Sequence, residues 1–132
     1  MRYLGIDYGS KKFGLAVSDE GGSFAFPFLI FKNLSKEDSV EKIIGIIKEK
    51  KIEKIVIGES LNLKGEENKI LKDAKFFAEK LKEESGLEVY FEKEWLSTIE
   101  ARRFQDRHDA DDSAAAIILQ RFLDKEVKKN KK

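Results

Sequence analysis

The chain has 132 residues, 41% of them hydrophobic, which is about one domain's length with enough apolar mass for a core and excludes disordered and fibrous classes. The absence of Cys excludes disulfide scaffolds, thiol nucleophiles and cysteine-held zinc. Twenty-six basic residues against 25 acidic ones leave a net charge of +1, so a polyanionic partner would have to be met by a local basic surface rather than a global field.

Residues 2–7 (RYLGID) predict a first strand, residues 8–12 a turn, and residues 13–18 (FGLAVS) a second strand. After Gly21-Gly22 comes a third strand, Phe24 to Phe31, in which the single proline, Pro27, marks an edge or a bulge. Two short turns favour an antiparallel meander. The period then changes. Ser35 followed by Asp38 resembles a capping box, and Val40, Ile43, Ile44, Ile46 and Ile47 give a helical stripe to about Lys50. Residues 54–58 (KIVIG) predict a short buried strand. Ile70, Leu71, Ala74, Phe77, Ala78 and Leu81 predict a helix over 66–84, with Gly86 as its C-terminal cap. Leu87 to Phe91 predicts a fifth strand, and Ser97 with Glu100 a short helix. A last helix is expected from Asp112 to about Glu126. Residues 1–127 then form a single domain, and 128–132 a frayed basic tail. The order predicts an α/β fold: a mixed five-stranded sheet, meander first and parallel strands after, flanked by helices. No apolar run reaches the ~18 residues of a membrane span. The apolar stretch before Asp7 is too short for a secretion signal. No membrane partner and a cytoplasmic location are expected.

Four acidic positions fall at predicted element ends. Asp7 closes the first strand, Glu59 follows the fourth, Glu94 lies just beyond the fifth, and Asp111-Asp112 open the last helix. Each has an ordinary role available: an Asx turn for Asp7, solvated surface for Glu59 and Glu94, a helix cap for one of the aspartates. Together they carry more. Clustered carboxylates repel unless a cation compensates. Their oxygens suit Mg²⁺ or Mn²⁺, and the chain offers a softer ion only one His. Two such ions ~3.5–4 Å apart can activate water and stabilise the leaving oxygen of a phosphodiester. Asp111 and Asp112 stand ~100° apart on a helix, so one of them faces such a site, and Asp109 with Asp112 is the alternative pair. Arg102, Arg103 and Arg107 with His108, and Lys11 and Lys12 in the first turn, could line the same rim and hold a nucleic-acid backbone. Solvation and surface ion pairing are their ordinary fates.

Four blocks then carry a resemblance. Residues 4–19 (LGIDYGSKKFGLAVSD), 56–65 (VIGESLNLKG), 94–101 (EWLSTIEA) and 111–120 (DDSAAAIILQ) resemble, in order and across nearly the whole chain, the motifs of the YqgF family. These are RNase H-like proteins related to the RuvC Holliday-junction resolvases. The resemblance implies an RNase H-like fold and a metal-dependent endonuclease with Asp7, Glu94 and Asp111 as its acids. It implies a role in 5′-end maturation of pre-16S ribosomal RNA, or in resolving branched DNA. Implied partners are that RNA or a junction, and ribosomal particles, with the chain a monomer or a homodimer. Two departures stand out. Trp95 occupies a place where the family usually has Arg, which weakens a phosphate contact there. Glu59 replaces the Leu of a Gly-Leu-Pro run and adds a fourth acid.

Two rival readings differ in class. Residues 5–10 (GIDYGS) also resemble the first phosphate loop of actin- and hexokinase-like enzymes, but those need two lobes, and 132 residues supply one. The other rival is a non-catalytic nucleic-acid-binding module with a degraded site, for which Trp95 is the motive.

Overall fold

The computed structural model describes the backbone of residues 1–9, 11–61, 69–95 and 112–130. The elements are β1 (Tyr3–Tyr8), β2 (Lys12–Ser18), β3 (Ala25–Lys32), α1 (Lys36–Lys50), β4 (Lys54–Leu61), α2 (Lys69–Ser85), β5 (Glu88–Trp95) and α3 (Asp112–Asn130). The sheet order is β3-β2-β1-β4-β5. β1, β2 and β3 pair antiparallel, whereas β4 pairs parallel to both β1 and β5. The expected meander followed by parallel strands is therefore what forms, and β1 sits at its centre.

Period-two alternation divides the strands between two layers. Leu4, Ile6, Phe13, Leu15, Ile55 and Ile57 pack with Val40, Ile43 and Ile47 of α1 and Phe77, Ala78 and Leu81 of α2. Tyr3, Ala16 and Val56 point the other way, onto Ala115, Ile118, Leu119 and Leu123 of α3. A helix can lie this close to the sheet because two strand positions lack side chains. A Cβ at Gly5 would stand 2.7 Å from Leu119 Cβ and 3.1 Å from the Ala115 carbonyl, and one at Gly58 would stand 2.6 Å from Ile118 Cδ1.

The local signals act as expected at several ends. Ser35 Oγ accepts from the Asp38 N–H at 3.0 Å to open α1. Gly86, at φ +72°, donates its N–H to the Lys82 carbonyl and closes α2. Pro27 lies on the edge strand β3, beside a register shift between Leu15 and Ala16. Three boundaries differ from the sequence expectation. β4 and β5 continue past their branched residues to the Leu61–Trp95 pair, because each supplies the other's ladder beyond the end of β1. Glu59 and Glu94 are therefore inside strands, not after them. α3 runs on to Asn130 instead of ending near Glu126; Lys is a good helix former and is favoured at a C-terminal end. The short helix expected at Ser97 lies outside the described residues.

Candidate active site

Asp7 is the fifth residue of β1 and is 9% exposed. It follows Gly5 by two residues, so it shares the α3 face, while Tyr8 turns to the opposite layer against Phe13 and Phe77. A carboxylate so buried at the centre of a sheet is unusual unless charge or hydrogen bonds meet it. Burial raises the Tyr8 phenol above its ordinary value; a hydrogen bond with Asn33 opposes the shift, and the Asp73 carboxylate adds to it.

α3 is aimed at Asp7. Phe122 meets Tyr3, with ring centroids 5.9 Å apart, and Leu119 and Ala115 overlie Gly5. The helix therefore runs antiparallel to β1, and its first residue, Asp112, opens toward the carboxyl end of the strand. Rises agree: Asp7 lies ~6.6 Å beyond Gly5 along the strand, and the helix gains ~4.5 Å from Ala115 back to Asp112. A helix N-terminus favours negative groups nearby through its unpaired N–H groups.

The turn after Asp7 is held from outside the sequence block that suggested it. Asn33 donates from Nδ2 to the Gly9 carbonyl at 3.0 Å, and its N–H donates to the Lys11 carbonyl at 2.8 Å. Ser39 Oγ donates in turn to Asn33 Oδ1 at 3.3 Å. Lys11 is exposed and Lys12 half-buried, both at the end of the sheet where Asp7 sits. Sequence reasoning passed over Asn33, although an Asn between a strand and a helix cap is a turn signal.

Glu92 was also missed, hidden in the run Glu92-Lys93-Glu94. It is 4% exposed, pairs in register with Gly58, and its Oε2 meets Lys125 Nζ of α3 at 2.6 Å. That contact places position 92 on the α3 face. Glu59 pairs in register with Lys93, and Glu94 with Ser60. Asp109, Asp111, Arg102, Arg103, Arg107 and His108 lie outside the described residues. Among the described residues no three His, Asp or Glu side chains gather as a metal site, and of the acids expected there only the Asp7 side chain belongs to that set.

The sequence profile of the family described as RuvX, Holliday junction resolvase, matches residues 1–125. A provisionally named pre-16S rRNA nuclease from Nitratidesulfovibrio vulgaris is 36% identical, over 93% of each chain. One of the same name from Clostridioides difficile is 38% identical, over 93% of this chain and 94% of that one. Among solved structures, Thermus thermophilus RuvC in complex with Holliday junction substrate has a TM-score of 0.53 at 16% identity, covering 70% of this chain and 63% of its own. The fowlpox virus Holliday junction resolvase has a TM-score of 0.55 at 12% identity, over 96% and 99%. These likenesses show the fold: an RNase H-like mixed sheet flanked by helices.

Proposed function

The chain belongs to the RuvX (YqgF) family, and from that premise we propose that it is a nuclease that hydrolyses phosphodiester bonds in 5′-end maturation of pre-16S rRNA. The observation that carries this is the buried Asp7 carboxylate, set at the end of the central strand on the face covered by α3, whose N-terminal end opens toward the same end of the strand. The names of relatives covering 93% of this chain support the RNA. The family's description supports a second reading, resolution of a four-way DNA junction.

Mg²⁺ or Mn²⁺ fits these residues, because the donors are carboxylates and a buried acid needs compensating charge. Such ions, when bound, would lower the pKa of a water and stabilise the leaving oxygen. Asp7, Glu94 and Asp111 would hold them. Register supports Glu94: β5 pairs with β4 without a shift, so position 94 belongs to the same alternating set as 92, on the α3 face shared by Asp7. Glu92 itself is engaged by Lys125. On β4 the position paired with Glu94 is 60; one step back on that face, Gly58 is covered by Ile118 of α3, so a cation would lie beyond it, toward the carboxyl ends of the strands. By the same count position 59 groups with Ile55 and Ile57, on the other face, so the proposal leaves Glu59 out of the ligand set. Asp111 is taken as the helix acid on the family resemblance, with Asp112 and Asp109 as its alternatives. The remaining residues position the substrate: Lys11 and Lys12, with Arg102, Arg103, Arg107 and His108, would contact phosphates without reading bases. Water adds to phosphorus, the bond to the leaving oxygen breaks, and that oxygen takes up a proton. The substrate places the reaction in the cytoplasm, on ribosomal precursors. No described helix is long and apolar enough to cross a membrane.

Precursor rRNA and a four-way junction, each incubated with Mg²⁺ or Mn²⁺, test the proposal. Asp7→Asn and Glu94→Gln should lose at least ~100-fold in cleavage while remaining folded, and Glu59→Gln should stay near wild type. Equal cleavage by wild type and Asp7→Asn overturns the proposal. Cleavage of the junction alone by wild type selects the second reading.

A further inference from the structure

We propose that the Glu92–Lys125 ion pair is a positioning pair for the cation site: it fixes the carboxyl end of β5, and with it position 94, against α3. The inference rests on the nuclease reading, in which Glu94 helps to hold the cation. β5 is an edge strand, with β4 as its one neighbour in the sheet. β4 in turn pairs with β1 as far as Ile6–Ile57. From Gly58–Glu92 to Leu61–Trp95, β4 and β5 have only each other among the described residues. Position 94 therefore stands in a two-stranded ribbon, which is marginally stable by itself and twists more than a wide sheet.

Glu92 lies at the root of that ribbon. Its side chain is 5% exposed, and its Oε2 accepts from Lys125 Nζ at 2.6 Å. Two residues earlier on β5, the Tyr90 ring meets Phe122 of α3, with centroids 5.2 Å apart. A ring contact can slide, whereas a charge-assisted hydrogen bond holds one distance and one direction. Stability gives no reason for a carboxylate there, because apolar groups of similar volume in place of a buried ion pair are often as stable or more so. What the pair adds is a fixed register between β5 and α3, two residues before position 94. The same helix closes over Gly5 of β1, two residues before Asp7. One helix thus fastens the strands that carry both acids, each at the same remove from its acid. Glu92 acts through position 94 and not as a ligand, since Lys125 takes up its charge.

The test compares wild type with Glu92→Leu/Lys125→Met, which removes one charge of each sign, so that a change in cation affinity does not follow from net charge. Ile43→Val, in the core of the opposite layer, is the control for lost stability. Each protein is measured by thermal unfolding, by amide exchange at residues 92–95 without metal, by calorimetric titration with Mn²⁺ without substrate, and by cleavage of precursor rRNA and of a four-way junction. The double variant should melt no lower than wild type, yet exchange faster at 92–95. It should bind Mn²⁺ ~10–100-fold more weakly, the scale on which outer partners of metal ligands act. Its kcat should fall with KM little changed, and added Mn²⁺ should restore part of it. Ile43→Val should melt lower and keep its Mn²⁺ affinity. Should the double variant not fold, Glu92→Gln/Lys125→Gln, which keeps both side-chain lengths, is read in the same way. If wild type binds Mn²⁺ and cleaves, but the folded double variant keeps wild-type affinity and exchange, or Ile43→Val loses as much affinity, the positioning proposal fails alone. If wild type binds no Mn²⁺ and cleaves neither substrate, the nuclease reading fails and takes the proposal with it.

Discussion

Replacing Gly5 by Ala tests how α3 is held over the site. The added Cβ would stand 2.7 Å from Leu119 Cβ and 3.1 Å from the Ala115 carbonyl oxygen. Ordinary carbon contacts are ~3.5–4.0 Å, and neither obstructing atom can rotate away, since both are fixed by the helix backbone. α3 must therefore retreat by about 1 Å. Overpacking of that kind costs ~1–3 kcal/mol, or a fall in Tm of about 4–12 °C for a domain of this size. Gly58→Ala makes an equally short contact, 2.6 Å, but with Ile118 Cδ1, the end of a side chain. Turning that group aside costs ~0.5–1.5 kcal/mol, and Ile118→Val, which deletes Cδ1, should recover most of it. Leu119→Ala should not rescue Gly5→Ala, because Ala keeps the offending Cβ. Thermal unfolding followed by circular dichroism measures each of these proteins. Cleavage should fall further in Gly5→Ala than its stability explains, since a 1 Å displacement of catalytic groups can cost ~100-fold. A Gly5→Ala protein as stable as wild type, or more stable than Gly58→Ala, refutes the reasoning.

Lys125→Gln should destabilise by ~1–3 kcal/mol in urea unfolding, because it leaves the Glu92 carboxylate, 5% exposed, without its cation; Glu92→Gln should cost less than ~1 kcal/mol, Lys125 being largely in water. Asn33→Ala should cost ~1 kcal/mol and speed amide exchange at Lys11 and its neighbours, while global exchange in β1 stays slow; unchanged exchange in the turn would count against the bracing role. Hydrogen bonds from the Phe24 and Ser23 N–H groups hold the Asp19 carboxyl below its ordinary value. Its contribution is thus complete above the unfolded value near ~3.9 and is lost as pH falls through the lower folded value. The stability gap between wild type and Asp19→Asn should narrow on acidification over that window, and a gap independent of pH would refute the assignment.

The element order was legible because each signal was local and repeated. Alternating apolar residues in residues 2–18, the i, i+3, i+4 stripe of α1 and the Ser35 cap all act within a few residues. What was not legible depended on partners distant in sequence. Nothing local to Glu92-Lys93-Glu94 distinguishes a buried Glu92 from a solvated one; Lys125, 33 residues away, does that. Asn33 likewise acts on Gly9 and Lys11, more than 20 residues earlier. Gly5 and Gly58 read as strand glycines in sequence, and only the position of α3 gives their missing Cβ atoms a purpose.

Strand ends set a further limit, and it bears directly on which acids can work together. Judged by its branched residues, the fourth strand stops at Gly58, and an acid after a strand end is free to turn toward either layer. Paired with β5 as far as Leu61–Trp95, the strand keeps its alternation, and a one-residue step then decides the face. Val56 and Gly58 belong to the α3 side through Ala115, Ile118 and Leu119, whereas Ile55 and Ile57 belong to α1 and α2. Position 59 follows the second set, and Asp7 the first. Positions 7 and 59, which look equivalent in a linear reading because each follows a run of strand-forming residues, thereby fall in opposite alternating sets of the sheet. Glu94, in a different strand, shares the parity of Asp7 because β4 pairs in register with both β1 and β5. Hydrogen-bond register, which no single segment encodes, is what decides the face that each of these strand positions takes.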